Sequence, residues 1–328
     1  MPELPEVETI ANGVNARVAG QVIESAWFGT KPQTFRTPAE EMAEQLPGRR
    51  IDRVRRVGKH IVFDLGPLWP GPTRRRSQVA PVGEPKAPDV QWIVHLGMTG
   101  RLLVSEPDTL LPVHTHAILR LSSGNELRFV DPRRFGRLSL LMPDDSRADA
   151  GTPAPTKAKA NRQKPKSEKR ASARPDAHAA SVSTFGFKGP GLEPLTISAE
   201  DFIALFRKRR ISIKSALLNQ RLLHGVGNIY ADESLFRAGI RPRRMAGRLK
   251  HSELLALRTS LLDVLREAIA LGGSSVSDYV DATGLKGYFQ LEHRVYQRTG
   301  KPCIVCGAEV RRIVLGGRST HYCAHCQR

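Results

Sequence analysis

The four cysteines of this 328-residue chain all lie within its last 26 residues, as Cys303-x2-Cys306 and Cys323-x2-Cys326. Two such pairs on tight knuckles, sixteen residues apart, can turn four thiolates toward one tetrahedral ion, so the spacing predicts one zinc. A catalytic zinc keeps a position open to water, and four cysteines leave none, so the ion is expected to be structural. A disulfide framework would spread its cysteines more widely. His321 and His325 stand nearby but are not needed as ligands. The segment is too short to bury a core of its own, so the metal replaces one, and its loss should unfold the hairpin. Between the pairs, "RRIVLGGRSTHY" reads as two β-arms around Gly316-Gly317. Arg318 follows the turn, where a side chain can meet a phosphate or simply face solvent.

The other end of the chain offers different chemistry. In "MPELPEVET" a methionine before small Pro2 is expected to be trimmed, exposing a secondary amine. An α-amino group titrates near pH ~8, so part of it is unprotonated at neutral pH. A neutral amine can attack a sugar C1′ and form an iminium, and Glu3 and Glu6 beside it can move protons. The same residues also suit a plain helix start, with Pro5 in the first turn and Glu6 and Glu8 at the positive end of the dipole.

These groups need elements to carry them. After a short helix with Ile10, Val14 and Val18 at helical spacing, the pattern turns β-rich in "HIVFDL", "QWIVHLGM" and "HAILRLSSGNELRFV". The last reads as a hairpin around Ser123-Gly124-Asn125, and the whole predicts an antiparallel sandwich. From Leu195 to about Gly272 the pattern is helical. Ser198 is a candidate cap for "SAEDFIALFRKR" and Ser252 for "SELLALRTSLLDVLREAIALGG", which should stop at Gly272-Gly273. Glycines 225, 227 and 239 cut the intervening sequence into short helices and turns. Residues 70–90 and 146–184 are rich in Pro, Ala, Ser and basic residues and read as insertions or linkers. The domain reading is a sandwich over 1–145 with an insertion at about 70–90, a basic linker over 146–184, a helical domain over 185–300 and a zinc finger over 301–328. The fold class is therefore α+β.

The net charge of +19 predicts a polyanionic partner, with nucleic acid ahead of an anionic membrane surface. The linker carries nine basic and three acidic residues, so most of the excess lies in the folded parts. No apolar run approaches the roughly 20 residues of a membrane span, and the first twenty residues lack a secretory h-region. A cytoplasmic protein is expected.

Six motifs occur together: "MPELPEVET", "HLGMTGRL", "DPRRFGRL", "GVGNIYADESLF", "GYFQLEHRVYQRTGKPC" and the terminal zinc hairpin. On them the chain resembles bacterial formamidopyrimidine-DNA glycosylases over nearly its whole length outside the two insertions. The resemblance implies a monomeric enzyme that flips an oxidised purine from damaged double-stranded DNA, cuts it from C1′, and removes the sugar by β- and δ-elimination. It implies catalysis in the sandwich and DNA binding in the helical domain. It implies Pro2 as nucleophile, Glu3 as acid/base at the sugar, Lys59 as proton donor in β-elimination, and Arg318 in phosphate binding and δ-elimination. His114, Arg133, Arg210 and Asn228 match DNA contacts, Asn228 in a helix–two-turns–helix element. A glycine-rich turn before a helix independently suits a phosphate there. Met98, Arg133 and Phe135 match the wedge that fills the space left by an extruded base; without the match, Met98 and Phe135 read as core. No redox or nucleotide cofactor is implied. The chain departs from the family in its two insertions and in Ser277, where some members place a lysine in the damage-recognition loop, expected over 274–287. Two alternatives remain: an oxidised-pyrimidine glycosylase of the same superfamily, and a non-catalytic zinc-containing DNA-binding protein.

Overall fold

The computed structural model describes residues 2–68, 88–143, 185–275, 280–282 and 284–328. Most of the two predicted insertions, and Ser277, therefore lie outside the described residues. The chain opens with helix α1 (Leu4–Val18). Strand β1 (Ile23–Phe28), helix α2 (Ala39–Gln45), and strands β2 (Arg49–Val57), β3 (His60–Leu68), β4 (Val90–His95), β5 (Arg101–Ser105), β6 (Thr115–Leu121), β7 (Glu126–Val130) and β8 (Arg137–Leu141) follow. They form two four-stranded antiparallel sheets, ordered β1-β6-β7-β5 and β2-β3-β4-β8. The predicted sandwich and the β6–β7 hairpin are both present. Each strand sends alternate or continuous apolar residues inward, among them Ile61, Phe63, Trp92, Val94, Leu119, Leu127 and Phe129, into one core.

Helices α3 (Ala199–Phe206), α4 (Ile213–Leu217), α5 (Asn228–Arg237) and α6 (His251–Ala270) build a second core. Ser198 caps α3 as expected, its Oγ accepting from the Asp201 N–H at 3.0 Å. The cap of α6 differs from expectation. Lys250 occupies the N-cap, and the Glu253 carboxylate reaches back to the Lys250 N–H at 2.8 Å. A carboxylate three residues into the helix serves that orphan donor and suits the positive end of the dipole, so the helix begins before Ser252. Its end at Gly272 and Gly273, both at positive φ, is as read.

Helix α1 belongs to both cores. Leu4 packs among the helices, while Val7, Ile10, Val14 and Val18 pack in the sandwich. The helix therefore pins its own N-terminus at the seam between the two. Strands β9 (Val310–Leu315) and β10 (Arg318–Cys323) form the C-terminal hairpin. Its apolar cluster is small, with Phe236, Val295, Val310 and two of the cysteines.

Candidate active site and nucleic-acid interface

Pro2 and Glu3 are both buried at the start of α1. The Leu4 N–H donates to the Gly225 carbonyl at 3.0 Å, which ties the first helical turn to the glycine-rich turn before α5. The Asn228 N–H donates to Glu3 Oε1 at 2.7 Å. A methyl group on Gly227 would lie 2.0 Å from Glu3 Cδ, so only glycine lets this turn lie flush against the carboxylate. Burial drives the Glu3 carboxyl up to about 7, and nearby Lys59 opposes the rise. Glu3 Oε2 is buried and makes no hydrogen bond among the described residues. The arrangement yields a carboxyl able to give or take a proton near neutral pH.

Glu6 does more than complement the helix dipole. It is 2% exposed, and its Oε2 accepts from the Glu3 N–H at 2.8 Å. Its Oε1 accepts from the Tyr230 hydroxyl and from the Ser274 N–H. Burial raises it above the usual carboxylate range, against those hydrogen bonds. Glu6 thereby joins α1, α5 and the segment after α6.

Lys59 sits in the tight turn between β2 and β3. Burial pushes its ammonium below the ordinary lysine range, with Glu3 pulling the other way and Arg318 adding to the fall. Lys59, Glu3 and Arg318 thus share one electrostatic neighbourhood, though they come from a sandwich turn, a helix start and the zinc hairpin.

The hairpin is docked by charges. Lys214 Nζ lies 2.6 Å from Asp232 Oδ1, with both side chains fully buried. The ammonium also donates to the Ser319 carbonyl at 2.8 Å, and Asn228 Nδ2 donates to the same carbonyl at 3.0 Å. Asp232 Oδ2 accepts from the His321 N–H at 2.8 Å and lies 3.1 Å from its Nδ1. Ser319 follows Arg318, so these bonds set where the arginine emerges. His321 is engaged with Asp232. The sulfurs of Cys303, Cys306, Cys323 and Cys326 all lie within 4.8 Å of one another, as four ligands of one tetrahedral zinc do. The set fits one structural zinc.

A second hub organises the predicted wedge. Asp131 is fully buried. Its carboxylate accepts from Thr99 Oγ1 at 2.6 Å, the Gly136 N–H at 2.7 Å and the Arg133 N–H at 3.3 Å. Its own N–H donates to the His114 carbonyl at 3.0 Å. Asp131 so gathers three loops. Met98 is 41% and Phe135 47% exposed, which rules out core packing for both. The Arg133 guanidinium lies 4.9 Å from the Phe135 ring centroid. His114 is exposed at φ 68°, a backbone strain that concentrates at functional positions. Arg210 is exposed in the basic loop between α3 and α4, apart from this hub.

Asp131, Asp232 and Lys214 escaped the sequence reading. The only signal was charge at apolar positions, such as Lys214 inside "ISIKSALL".

A sandwich, a glycine-turn helical unit and a four-cysteine hairpin meeting at a buried carboxylate define the class of helix–two-turns–helix proteins with a zinc hairpin. Residues 1–138 match the formamidopyrimidine-DNA glycosylase N-terminal domain, residues 190–280 the formamidopyrimidine-DNA glycosylase H2TH domain, and residues 300–328 the zinc finger found in FPG and IleRS. The formamidopyrimidine-DNA glycosylases of Solibacter usitatus and Corynebacterium jeikeium are 38% and 36% identical to it, with all of both chains covered in each case. A Lactococcus lactis FPG mutant solved with Fapy-dG-containing DNA superposes with a TM-score of 0.74 at 29% identity, again over all of both chains. The chain belongs to the formamidopyrimidine-DNA glycosylase family.

Proposed function

We propose that this chain excises oxidised purines from duplex DNA and then cleaves the strand, acting as a monomer in the cytoplasm. The observation that carries the reading is Glu3: a buried carboxyl at about 7, one residue from Pro2 and bonded to the turn that opens α5. Pro2, once trimmed of Met1, attacks C1′. The C1′–base bond breaks as the proline nitrogen bonds C1′, and Glu3 protonates the ring oxygen as the C1′–O bond opens, leaving an iminium between the proline nitrogen and the opened sugar. In β-elimination a base removes a C2′ proton, a C2′–C3′ double bond forms, and the C3′–O bond breaks with the phosphate carrying off the electron pair. Lys59 serves the proton traffic of that step, and Arg318 steadies phosphate through it and the following δ-elimination. Asn228, Arg210 and His114 grip the backbone. Met98, Arg133 and Phe135 fill the gap in the stack, which offsets a few kcal/mol of lost stacking. Zinc, held by the four cysteines, supplies only the crosslink that keeps the hairpin folded. Residues 1–145 carry Pro2, Glu3, Lys59, His114 and the wedge, 185–300 and 301–328 supply the other DNA contacts and Arg318, and 146–184 links them in sequence.

The test is to incubate the protein with a duplex containing 8-oxoguanine opposite cytosine and sodium borohydride. A covalent adduct mapped to Pro2, absent with undamaged guanine, is expected. Binding without an adduct on any damaged duplex would leave the non-catalytic alternative. A wild-type Lactococcus lactis FPG has been solved with DNA containing an oxidised pyrimidine, so such a duplex is the second arm. An adduct with that lesion alone would shift the substrate class to pyrimidines.

A further inference from the structure

We infer that His224 is a positioning residue that holds the Lys59 turn against the glycine-rich turn before α5; the inference rests on the elimination chemistry proposed above. His224 is 6% exposed and directly precedes Gly225, whose carbonyl receives the Leu4 N–H. Its ring is pressed between two backbones. A methyl group on Gly58 would lie 3.1 Å from the ring Cγ, and one on Gly189 would lie 1.7 Å from Nδ1. Gly58 is the residue before Lys59. The ring therefore touches the turn that presents the lysine, the segment that enters the helical region, and the turn that receives Glu3.

The polar end of the ring is equally constrained. Nε2 lies 3.1 Å from Glu193 Oε2. Burial alone would raise Glu193, but hydrogen bonds from His224 and Arg56 outweigh it and hold the carboxyl at about 2. An ionised carboxylate only accepts, so Nε2 donates. Nδ1 is buried with no partner among the described residues. Glu193 also accepts from Arg56 Nη1 at 2.9 Å and Nη2 at 2.7 Å. Arg56 reaches back to the Gly58 carbonyl at 3.3 Å and to Glu8 on α1 at 2.5 Å. The Gly58-Lys59 turn is thus gripped at its carbonyl by Arg56 and at its α-carbon by the His224 ring, and both grips end on Glu193. The two-residue turn lies beyond the last strand pair, Val57 with His60, so these grips bear directly on its tilt. A shift of about 1 Å in a reacting group can slow a step by ~100-fold.

The test uses the full-length protein on a duplex with a preformed abasic site, where borohydride trapping reports imine formation and strand cleavage reports elimination. His224→Leu keeps volume and removes the donor; His224→Gln keeps a donor near Nε2. His224→Leu is expected to leave trapping within about twofold of wild type and to slow elimination by about tenfold, with His224→Gln restoring most of it. Elimination at the wild-type rate in His224→Leu, or trapping and elimination falling together, would overturn the assignment. Where His224→Leu does not fold, Glu193→Gln is carried through the same pair of measurements and read the same way. Wild-type protein that neither traps nor cleaves sinks the proposed function and this inference together; active wild type with an unchanged ratio in His224→Leu sinks this inference alone.

Discussion

The sandwich and the zinc hairpin both deliver a side chain of the proposed elimination to one seam, by opposite physical means. The sandwich presents Lys59 from a turn backed by a large apolar core. The hairpin presents Arg318 with a small apolar cluster, four clustered thiols and a buried ion pair. Apolar burial is graded, each side chain adding its own share. Metal and buried charge are nearly all-or-none, because one missing partner leaves another uncompensated.

Zinc removal is the strongest way to break this contrast. Zinc binding at such a site amounts to folding energy of about 10 kcal/mol or more. Chelation, or Cys323→Ser, should therefore abolish the ordered amide signals of residues 303–328 and weaken damaged-DNA affinity, while sandwich signals persist. Intact affinity without zinc would mean the hairpin is dispensable. Next in size, Lys214→Met leaves Asp232 buried without its ion-pair partner and should cost about 3–5 kcal/mol by denaturant unfolding, with loss of the Lys214 bond to the Ser319 carbonyl. A change below ~1 kcal/mol would show that the pair does not hold the hairpin. On the other side, Leu119→Ala in the sandwich core should cost about 2–5 kcal/mol, yet leave zinc content and hairpin signals unaltered. Coupled loss of zinc would erase the distinction.

A smaller effect sharpens the chemistry at the seam. Burial raises Glu3 from the ordinary carboxylate range to about 7, so its protonated form dominates below that pH and is lost above it. Pro2 gains its neutral form as pH rises toward ~8, so base excision should level off between about 7 and ~8 and fall above that, approaching tenfold per unit for an essential acid. Elimination from a preformed abasic site should lack that limb. Excision that rises with the neutral amine and then holds level above pH ~8, with no falling limb, would remove Glu3 as the acid. Smallest of all, the exposed Arg50–Asp52 pair at 2.7 Å should matter little, and Arg50→Ala should shift stability by no more than ~1 kcal/mol.

Much of the architecture was legible because it follows periodic rules. Alternation marked the strands, glycines marked the hairpin turn and the end of α6, and cysteine spacing marked the metal site. Met98 and Phe135 could not be separated from core residues by type, since apolar side chains look alike in sequence whether they fill a core or stand exposed. Asp131, Asp232 and Lys214 were illegible for a related reason. Lys214 and Asp232 act through partners distant in the chain, as Lys214 does on Ser319, and Asp131 reaches Thr99 as well as its own loop; no local pattern encodes such a distant partner. The cap of α6 was misplaced for want of one observation, that Glu253 reaches backward where Ser252 stood ready as a cap.

Asn228 bonds Glu3 through its amide and the Ser319 carbonyl through its side chain, so one residue clasps two positions 316 apart along the chain. The consequence falls in biosynthesis. At about 5–20 residues per second, the ribosome makes Glu3 roughly 15–60 s before it makes Ser319. Throughout that interval the N-terminal end is already folding material, but the clasp has no second jaw. A nascent or prematurely terminated chain would thus lack the clasp, and on the proposed mechanism it would lack Arg318 as well.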